Sequence, residues 1–223
     1  MSTNKNVLTR NEVDVALAEL PHWRYRLGAL VTAYAFDSSA AAISFLGTLG
    51  ALAERTRHHP DVDWRYDTVF ITSSSHDVGM EVTSRDLDLA LLVSQAADAA
   101  GAEAVPERHQ SVELAIDTAD GPEIAGFWKA VLGYGESRFG DLADPWRRNP
   151  GLWFQETATP SDNRIHLDRH VPLSSLEEER ARLREAAGEG DGQSHPRFRI
   201  YTDAQGNRIC LCTEEGHGPD LEE

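Results

Sequence analysis

Apolar positions recur every three to four residues in five stretches of this 223-residue chain and alternate in several of the stretches between them. The first helical stretch is opened by Thr9-x-x-Glu12, a capping box, and carries Val13, Ala16, Leu17 and Leu20 until Pro21 ends it. Trp23, Tyr25 and Leu27 then alternate with Arg24 and Arg26, and Val31 to Phe36 is a second β-like run. Gly28 between the two runs predicts a hairpin. Asp37 or Ser38 caps a long helix reaching Arg57, with Ile43, Phe45, Leu46, Leu49 and Leu52 as its apolar content. Tyr66 to Ser75 reads as a strand, and Thr83-x-x-Asp86 caps a helix over 86–99. The predicted order is α-β-β-α-β-(β)-α, an α+β layer with helices on one face of a sheet.

A break follows at Gly101-Ala102-Glu103-Ala104-Val105-Pro106-Glu107-Arg108, where glycine, proline and alternating charge mark a helix stop and a short linker. The second block starts with a strand over 111–117. A helix comes next, with Pro122 in its first turn and Gly133 at its end. Strands are predicted at 151–157 and 164–168. Ser175-x-x-Glu178 caps a charged helix over 176–187, and a hairpin pairs 198–202 with 208–212 through Asp203 to Asn207. The domain boundaries expected are 1–101, a linker over 102–110, a second domain over 111–213 and a polar tail over 214–223.

Composition narrows the function. Hydrophobic residues make up 40% and charged residues 26%, enough apolar side chain for packed cores. The 21 Lys and Arg against 37 Asp and Glu leave a formal charge of −16, which repels phosphate backbones and anionic membranes. Nucleic acid and membrane partners are therefore not expected. The longest uncharged run, 38–53, is too short to span a bilayer. Cys210 and Cys212 share a strand face and read as reduced core thiols. With no secretory pattern in the first twenty residues, this predicts a cytoplasmic protein.

The chemistry-bearing stretch of the first block is Glu54-x-x-x-His58-His59-Pro60. Glu54 and His58, four apart, would share a helix face and could hydrogen-bond. Pro60 ends the helix, and His76 follows the next strand, so three imidazoles and a carboxylate could converge at one sheet edge. Imidazole gives and takes protons near neutral pH, which suits protonating a leaving hydroxyl. The alternative is that His58 and His59 only stabilise a helix terminus.

The spacing Glu54-x3-His58-His59-Pro60-x5-Tyr66-x9-His76-Asp77, followed by Asp86-Leu-Asp-Leu-Ala90, resembles the pterin-4a-carbinolamine dehydratase family. The resemblance covers about residues 9–100 and includes Trp23 and the Phe36-Asp37 helix entry. It implies a four-stranded antiparallel sheet with helices on one side, a homo-oligomer, and elimination of water from a 4a-hydroxytetrahydropterin without a metal or other cofactor. It further implies His58 and His76 as an acid–base pair, His59 as a pterin contact and Glu54 as the group orienting an imidazole. Ser75, Asp77 and Asp86 join the substrate-binding set, Asp86 having an equal claim as a capping residue. In one place the chain departs from the family, with Met80-Glu81 where glycine is usual.

In the second block, Asp117-Thr118-x-Asp120 with Phe127-Trp128-x3-Leu132-Gly133-Tyr134, then 163–168 and Asp203-x-x-Gly206-Asn207, is similar to a glyoxalase-like domain of the vicinal oxygen chelate superfamily. The resemblance covers about residues 110–213 and implies paired βαβββ modules around a ligand cavity. Many members hold a divalent metal on His and Glu side chains from four strands. Here those positions align with Ser111, Gln155, His166 and Cys210, so no metal is expected. Trp153, Gln155, His166 and Asp168 are the candidates to line a second cavity, for a small molecule of unknown identity. The rival reading of the whole chain is a ligand-binding or resistance-type protein whose first domain is an oligomerising scaffold.

Overall fold

The computed structural model describes residues 7–132, 134–137, 140–159, 165–187, 198–202 and 208–214. The chain divides into two compact units, Met1–His109 and Gln110–Glu223. Both are α+β. Several predicted features lie outside the described residues: Gly133 at the helix end, the start of the strand expected over 164–168, the turn 203–207, and the tail beyond Glu214.

In the first unit, helix α1 (Arg10–Leu17) begins with the expected capping box, the Thr9 N–H donating to Glu12 Oε2 at 2.8 Å. Strands β1 (Arg24–Arg26) and β2 (Ala29–Ala35) form the expected hairpin, with Arg26 paired to Ala29. Leu27 and Gly28 both take positive φ, 48° and 78°, as a two-residue hairpin turn requires. Ser38, rather than Asp37, caps helix α2 (Ser39–Thr56) by accepting from the Ala41 N–H. The single strand expected over 66–75 is instead a hairpin of β3 (Asp61–Arg65) and β4 (Thr68–Ser73). Tyr66, at φ 56°, lies at its turn. The β3 sequence DVDWR gave a weak apolar signal because the strand sits at the sheet edge, where Val62 and Trp64 stay half exposed.

Helix α3 (Ser84–Ala99) closes the layer, and the sheet runs β1-β2-β4-β3, antiparallel throughout. Leu30 and Tyr34 on β2 and Val69 and Ile71 on β4 face Phe45, Leu49 and Leu52 of α2 and Leu89 and Val93 of α3. Each such side chain contributes about 1.5–3 kcal/mol by leaving water. The polar tips of Trp23 and Tyr34 both end on Ser94 Oγ, at 2.9 and 3.2 Å, so the aromatic core leaves these groups satisfied.

Residues read as a linker carry structure of their own. Strand β5 (Glu103–Ala104) pairs with β2, and the Val105 N–H donates to Ala33 O at 2.8 Å. A 3-10 turn over Pro106–Arg108 then leads to His109 on the sheet face opposite the helices. There the ring meets Thr72 Oγ1 at 3.1 Å and stacks edge-on against Phe70.

The second unit is built from β6 (Ser111–Thr118), α4 (Gly121–Leu132), the short strands β7 (Gly135–Glu136) and β8 (Leu142–Ala143), and β9 (Gly151–Glu156). Strand β10 (Ile165–His170), helix α5 (Leu176–Ala187), and strands β11 (Phe198–Thr202) and β12 (Arg208–Cys212) follow. The sheet order is β11-β12-β10-β6-β9-β8-β7. The first strand of each half, β6 or β10, pairs with the other antiparallel and with its own half's last strand in parallel. That repeated arrangement is the paired-module architecture expected. One sheet face packs Leu114, Ile116, Leu152 and Phe154 on the α4 side and Val171, Tyr201 and Leu211 on the α5 side.

Burial, followed by the positive charge of Arg26, lowers the His109 pKa from 6.5 to about 4. The unfolded chain therefore takes up this proton at higher pH than the folded one, and stability falls as pH drops from 6.5 towards 4. His109→Gln removes that dependence. Urea unfolding across this range is expected to show the wild type losing up to about 3 kcal/mol relative to the variant; parallel pH profiles would contradict the assignment.

Candidate functional site

In the first unit the site grows from the end of α2. Arg57 adopts left-handed backbone at φ 53°, so the helix stops at Thr56 and the His58 N–H reaches back to Ala53 O at 3.2 Å. His58 is thereby taken off the helix face it was expected to share with Glu54, and that pair does not form. Glu54 Oε1 instead accepts from His59 Nε2 at 3.1 Å, with both side chains exposed.

His58 turns inward and is only 6% exposed. Its Nε2 lies 2.6 Å from Asp86 Oδ1. Asp86 is fully buried, and its carboxylate is saturated with donors. Ser73 Oγ donates to Oδ1 at 2.7 Å, while Oδ2 receives Ser75 Oγ at 2.7 Å, the Thr83 N–H at 2.8 Å and Thr83 Oγ1 at 3.1 Å. Burial by itself would raise the Asp86 pKa; the hydrogen bonds from His58, Thr83, Ser73 and Ser75 outweigh it and hold the carboxyl below its ordinary value. An ionised carboxylate can only accept, so His58 donates from Nε2 and Nδ1 is left as its basic nitrogen. Of the two roles weighed for Asp86, the helix cap is formed, and the same carboxylate holds His58; being fully buried, it offers no surface to a substrate.

The pairing of Asp61 with Thr72 sets the remaining geometry. His58 and His59 immediately precede β3 and Ser73 to His76 immediately follow β4, so all of them lie at one end of that hairpin. His59 and His76 are exposed, and His76 opens a 3-10 turn over His76–Val78. Asp77 is engaged by Arg85 in the first turn of α3, Oδ1 to Nη2 at 2.6 Å. Gly79 and Met80 follow at φ 88° and 68°. Met80 therefore holds a conformation that glycine adopts without cost, at the point where the family resemblance led one to expect glycine. Its carbonyl also crowds Gly28, where a Cβ would lie 3.1 Å from Met80 O.

Ser73 and Arg85 were not singled out from sequence, and Thr83 only as a helix cap. Ser73 and Ser75 alternate at a strand end, which is a usable signal only once their common neighbour Asp86 is known.

The second unit has a polar sheet face opposite its helices. His166, Asp168 and His170 alternate along β10, beside Glu113 and Asp117 of β6 and Cys210 and Cys212 of β12. His166 is 5% exposed and Asp168 fully buried. Asp117 Oδ1 lies 3.5 Å from His166 Nδ1, and Asp168 Oδ1 lies 3.3 Å from Nε2, yet neither ring nitrogen is angled to form a hydrogen bond. Trp153 meets the same ring edge-on at 6.1 Å, whereas Gln155 is exposed. His170 Nε2 approaches Glu113 Oε2 at 3.2 Å. Burial, and then the charges of Asp168, Cys210 and Glu113, keep the Cys212 thiol protonated.

The four-strand metal pattern of the wider superfamily is not assembled. Ser111 pairs with His170, four residues and roughly 13 Å along the strand from Ala115, the residue opposite His166. His166, Asp168 and Cys210 are what the fold does gather, their ligand atoms all within 4.8 Å of one another.

Comparison with known proteins agrees with this division. The family model for Pterin 4 alpha carbinolamine dehydratase matches residues 6–96, and that for a Glyoxalase-like domain matches residues 113–212. A "Putative pterin-4-alpha-carbinolamine dehydratase" of Thermomicrobium roseum is 37% identical over 81 residues, covering 36% of this chain and 86% of the relative. One of the same description from Nocardia farcinica is 35% identical over 91 residues, covering 41% and 95%. Among solved structures, a transcriptional coactivator/pterin dehydratase from Brucella melitensis aligns with a TM-score of 0.40 and 28% identity, covering 41% of this chain and 99% of that one. A glyoxalase/bleomycin resistance protein/dioxygenase superfamily member from Vibrio splendidus aligns with a TM-score of 0.33 and 13% identity, covering 47% and 99%. Through its N-terminal unit the chain belongs to the pterin-4a-carbinolamine dehydratase family. Its C-terminal unit is similar to a glyoxalase-like domain. No helix among the described residues is long and apolar enough to cross a membrane.

Asp86→Asn removes an ionised acceptor from five buried donors. Urea denaturation near neutral pH is expected to show a loss of about 3 kcal/mol. Because the folded pKa is depressed, the wild-type advantage is complete above 3.8, the ordinary value, and narrows only as pH falls below it. A variant as stable as the wild type at neutral pH would contradict the account of this carboxylate.

Proposed function

We propose that the N-terminal unit dehydrates a 4a-hydroxytetrahydropterin to the quinonoid dihydropterin, with His58 and His76 as the acid–base pair and His59 as a pterin contact. The observation that carries this reading is the buried 2.6 Å contact between His58 Nε2 and Asp86, which orients the ring and places its proton on Nε2. In the reaction the N5 lone pair forms the C4a=N5 bond as the C4a–O bond breaks. His76 protonates the departing hydroxide to give water, and His58 Nδ1 takes the proton from N5. Each unit of charge that appears is met, on His58, by the ionised Asp86 carboxylate. Ser75 acts through Asp86 rather than on substrate, and Asp77 positions the 76–78 turn through Arg85. Glu54 orients His59.

The nitrogen already drives expulsion of the hydroxyl, so a modest catalytic contribution suffices; one positioned histidine is worth about 10²–10⁴-fold. Stopped-flow absorbance on freshly generated 4a-hydroxytetrahydropterin is expected to show acceleration by the full chain and its loss in His58→Ala/His76→Ala. His76→Ala alone, an exposed change, should retain the wild-type unfolding midpoint while losing about 10²-fold in rate. His59→Ala should weaken pterin binding in a calorimetric titration. A folded double variant that still accelerates the reaction would contradict the acid–base assignment, and unchanged affinity in His59→Ala would contradict the pterin contact.

A further inference from the structure

Strand β4 sends Val69, Ile71 and Ser73 to the same side of the sheet, towards the helices. The first two are fully buried core residues, and so is Leu30, the register partner of Ser73. A third apolar side chain would complete that row. A hydroxyl stands there instead, with no exposure to solvent, and a buried hydroxyl is costly unless it is bonded. Its partner is Asp86 Oδ1, at 2.7 Å. The same oxygen receives His58 Nε2 at 2.6 Å, and Ser73 Oγ lies 3.5 Å from that nitrogen. Ser75 and Thr83 donate to the other oxygen, Oδ2. Ser73 is thus the hydroxyl that shares an oxygen with His58.

We propose that Ser73 is a positioning residue for the His58 proton: by donating to Asp86 Oδ1 it keeps that proton on Nε2. The inference rests on the proton-transfer role given to His58 above. A 2.6 Å contact is shorter than the roughly 2.7–2.9 Å usual for a charge-assisted N–H···O bond, so Oδ1 pulls hard on the proton. The consequence appears once Nδ1 accepts a proton from substrate. Both ring nitrogens then carry hydrogen, and Oδ1 competes with Nε2 for the one between them. Were Oδ1 to win, the pair would rest as a neutral carboxyl and a neutral ring protonated at Nδ1. A neutral imidazole gives up its N–H far less readily than an imidazolium, and the site would be slow to pass its proton on.

Ser73 works against that transfer. A second donor on Oδ1 draws on the lone-pair density that attracts the proton, which makes the oxygen the weaker base. Burial raises the Asp86 pKa, and Ser73 stands with His58, Thr83 and Ser75 among the hydrogen bonds that bring it below its ordinary value. With Nε2 protonated, the serine hydrogen has only Oδ1 to go to of these two atoms, so its direction is fixed.

The test compares the full chain, labelled with nitrogen-15 at histidine and free of pterin, as wild type, Ser73→Ala, Ser73→Cys and Ser75→Ala. In Ser73→Ala the His58 Nε2 proton is expected to move downfield with a smaller one-bond N–H coupling. Ser73→Cys, a weaker donor, should fall between the two. Ser75→Ala takes a donor from Oδ2 and should move the signal less. In stopped-flow assays Ser73→Ala is expected to lower kcat about 2–10-fold with KM unchanged, the rate equivalent of one neutral hydrogen bond. A signal that keeps its wild-type position in folded Ser73→Ala, or moves further in Ser75→Ala, would overturn the proposal, as would a loss confined to KM. Should the alanine variant not fold, the position of the Ser73→Cys signal decides. The spectra need no substrate, so a wild-type chain that fails to accelerate dehydration counts against that reading alone and leaves the proton's position to be read directly.

Discussion

The first unit is organised around one buried carboxylate. Asp86 sits where three pieces of chain meet: the start of α3, the end of the β3–β4 hairpin, and the reversal that follows α2. Its ionisation costs solvation, which the capping N–H of Thr83, the hydroxyls of Ser73, Ser75 and Thr83, and the His58 ring together offset. The consequence for chemistry is direct. A histidine tied by Nε2 to a carboxylate has a fixed tautomer and orientation, the two properties a proton-transfer residue needs. Helix capping and histidine positioning are therefore one interaction, and a change that loosens the helix start also releases the imidazole.

The second unit places its charged residues differently. There the alternation of β10 sends His166, Asp168 and His170 to one face, and the matching faces of β6 and β12 supply Glu113, Asp117, Cys210 and Cys212. In the first unit every oxygen of the buried carboxylate meets a donor, and the result is a positioned imidazole.

Much of the fold was legible because its signals are local. Capping boxes at Thr9 and Thr83, the Gly28 turn and the apolar spacing of α2 and α3 each depend on residues within a few positions of one another. The histidine spacing from Glu54 to His76 was equally readable as a family resemblance. What sequence could not supply were contacts decided by backbone excursions and register. Arg57 adopting left-handed backbone moved His58 away from Glu54 and gave that glutamate to His59. The edge strand β3 lacked an apolar stripe because its outer positions remain in water. The pairing of Asp168 with Cys210, forty-two positions apart, follows from a parallel register that no local pattern encodes.

The most direct test of the central claim is the tautomeric state of His58, read by nitrogen-15 NMR on the intact chain near neutral pH. The account predicts a proton on Nε2, strongly deshielded by its short hydrogen bond to Asp86, and a bare Nδ1. A proton on Nδ1 with Nε2 unprotonated would leave Asp86 facing a lone pair, and would contradict both the ionised carboxylate and the proton-transfer role assigned to His58.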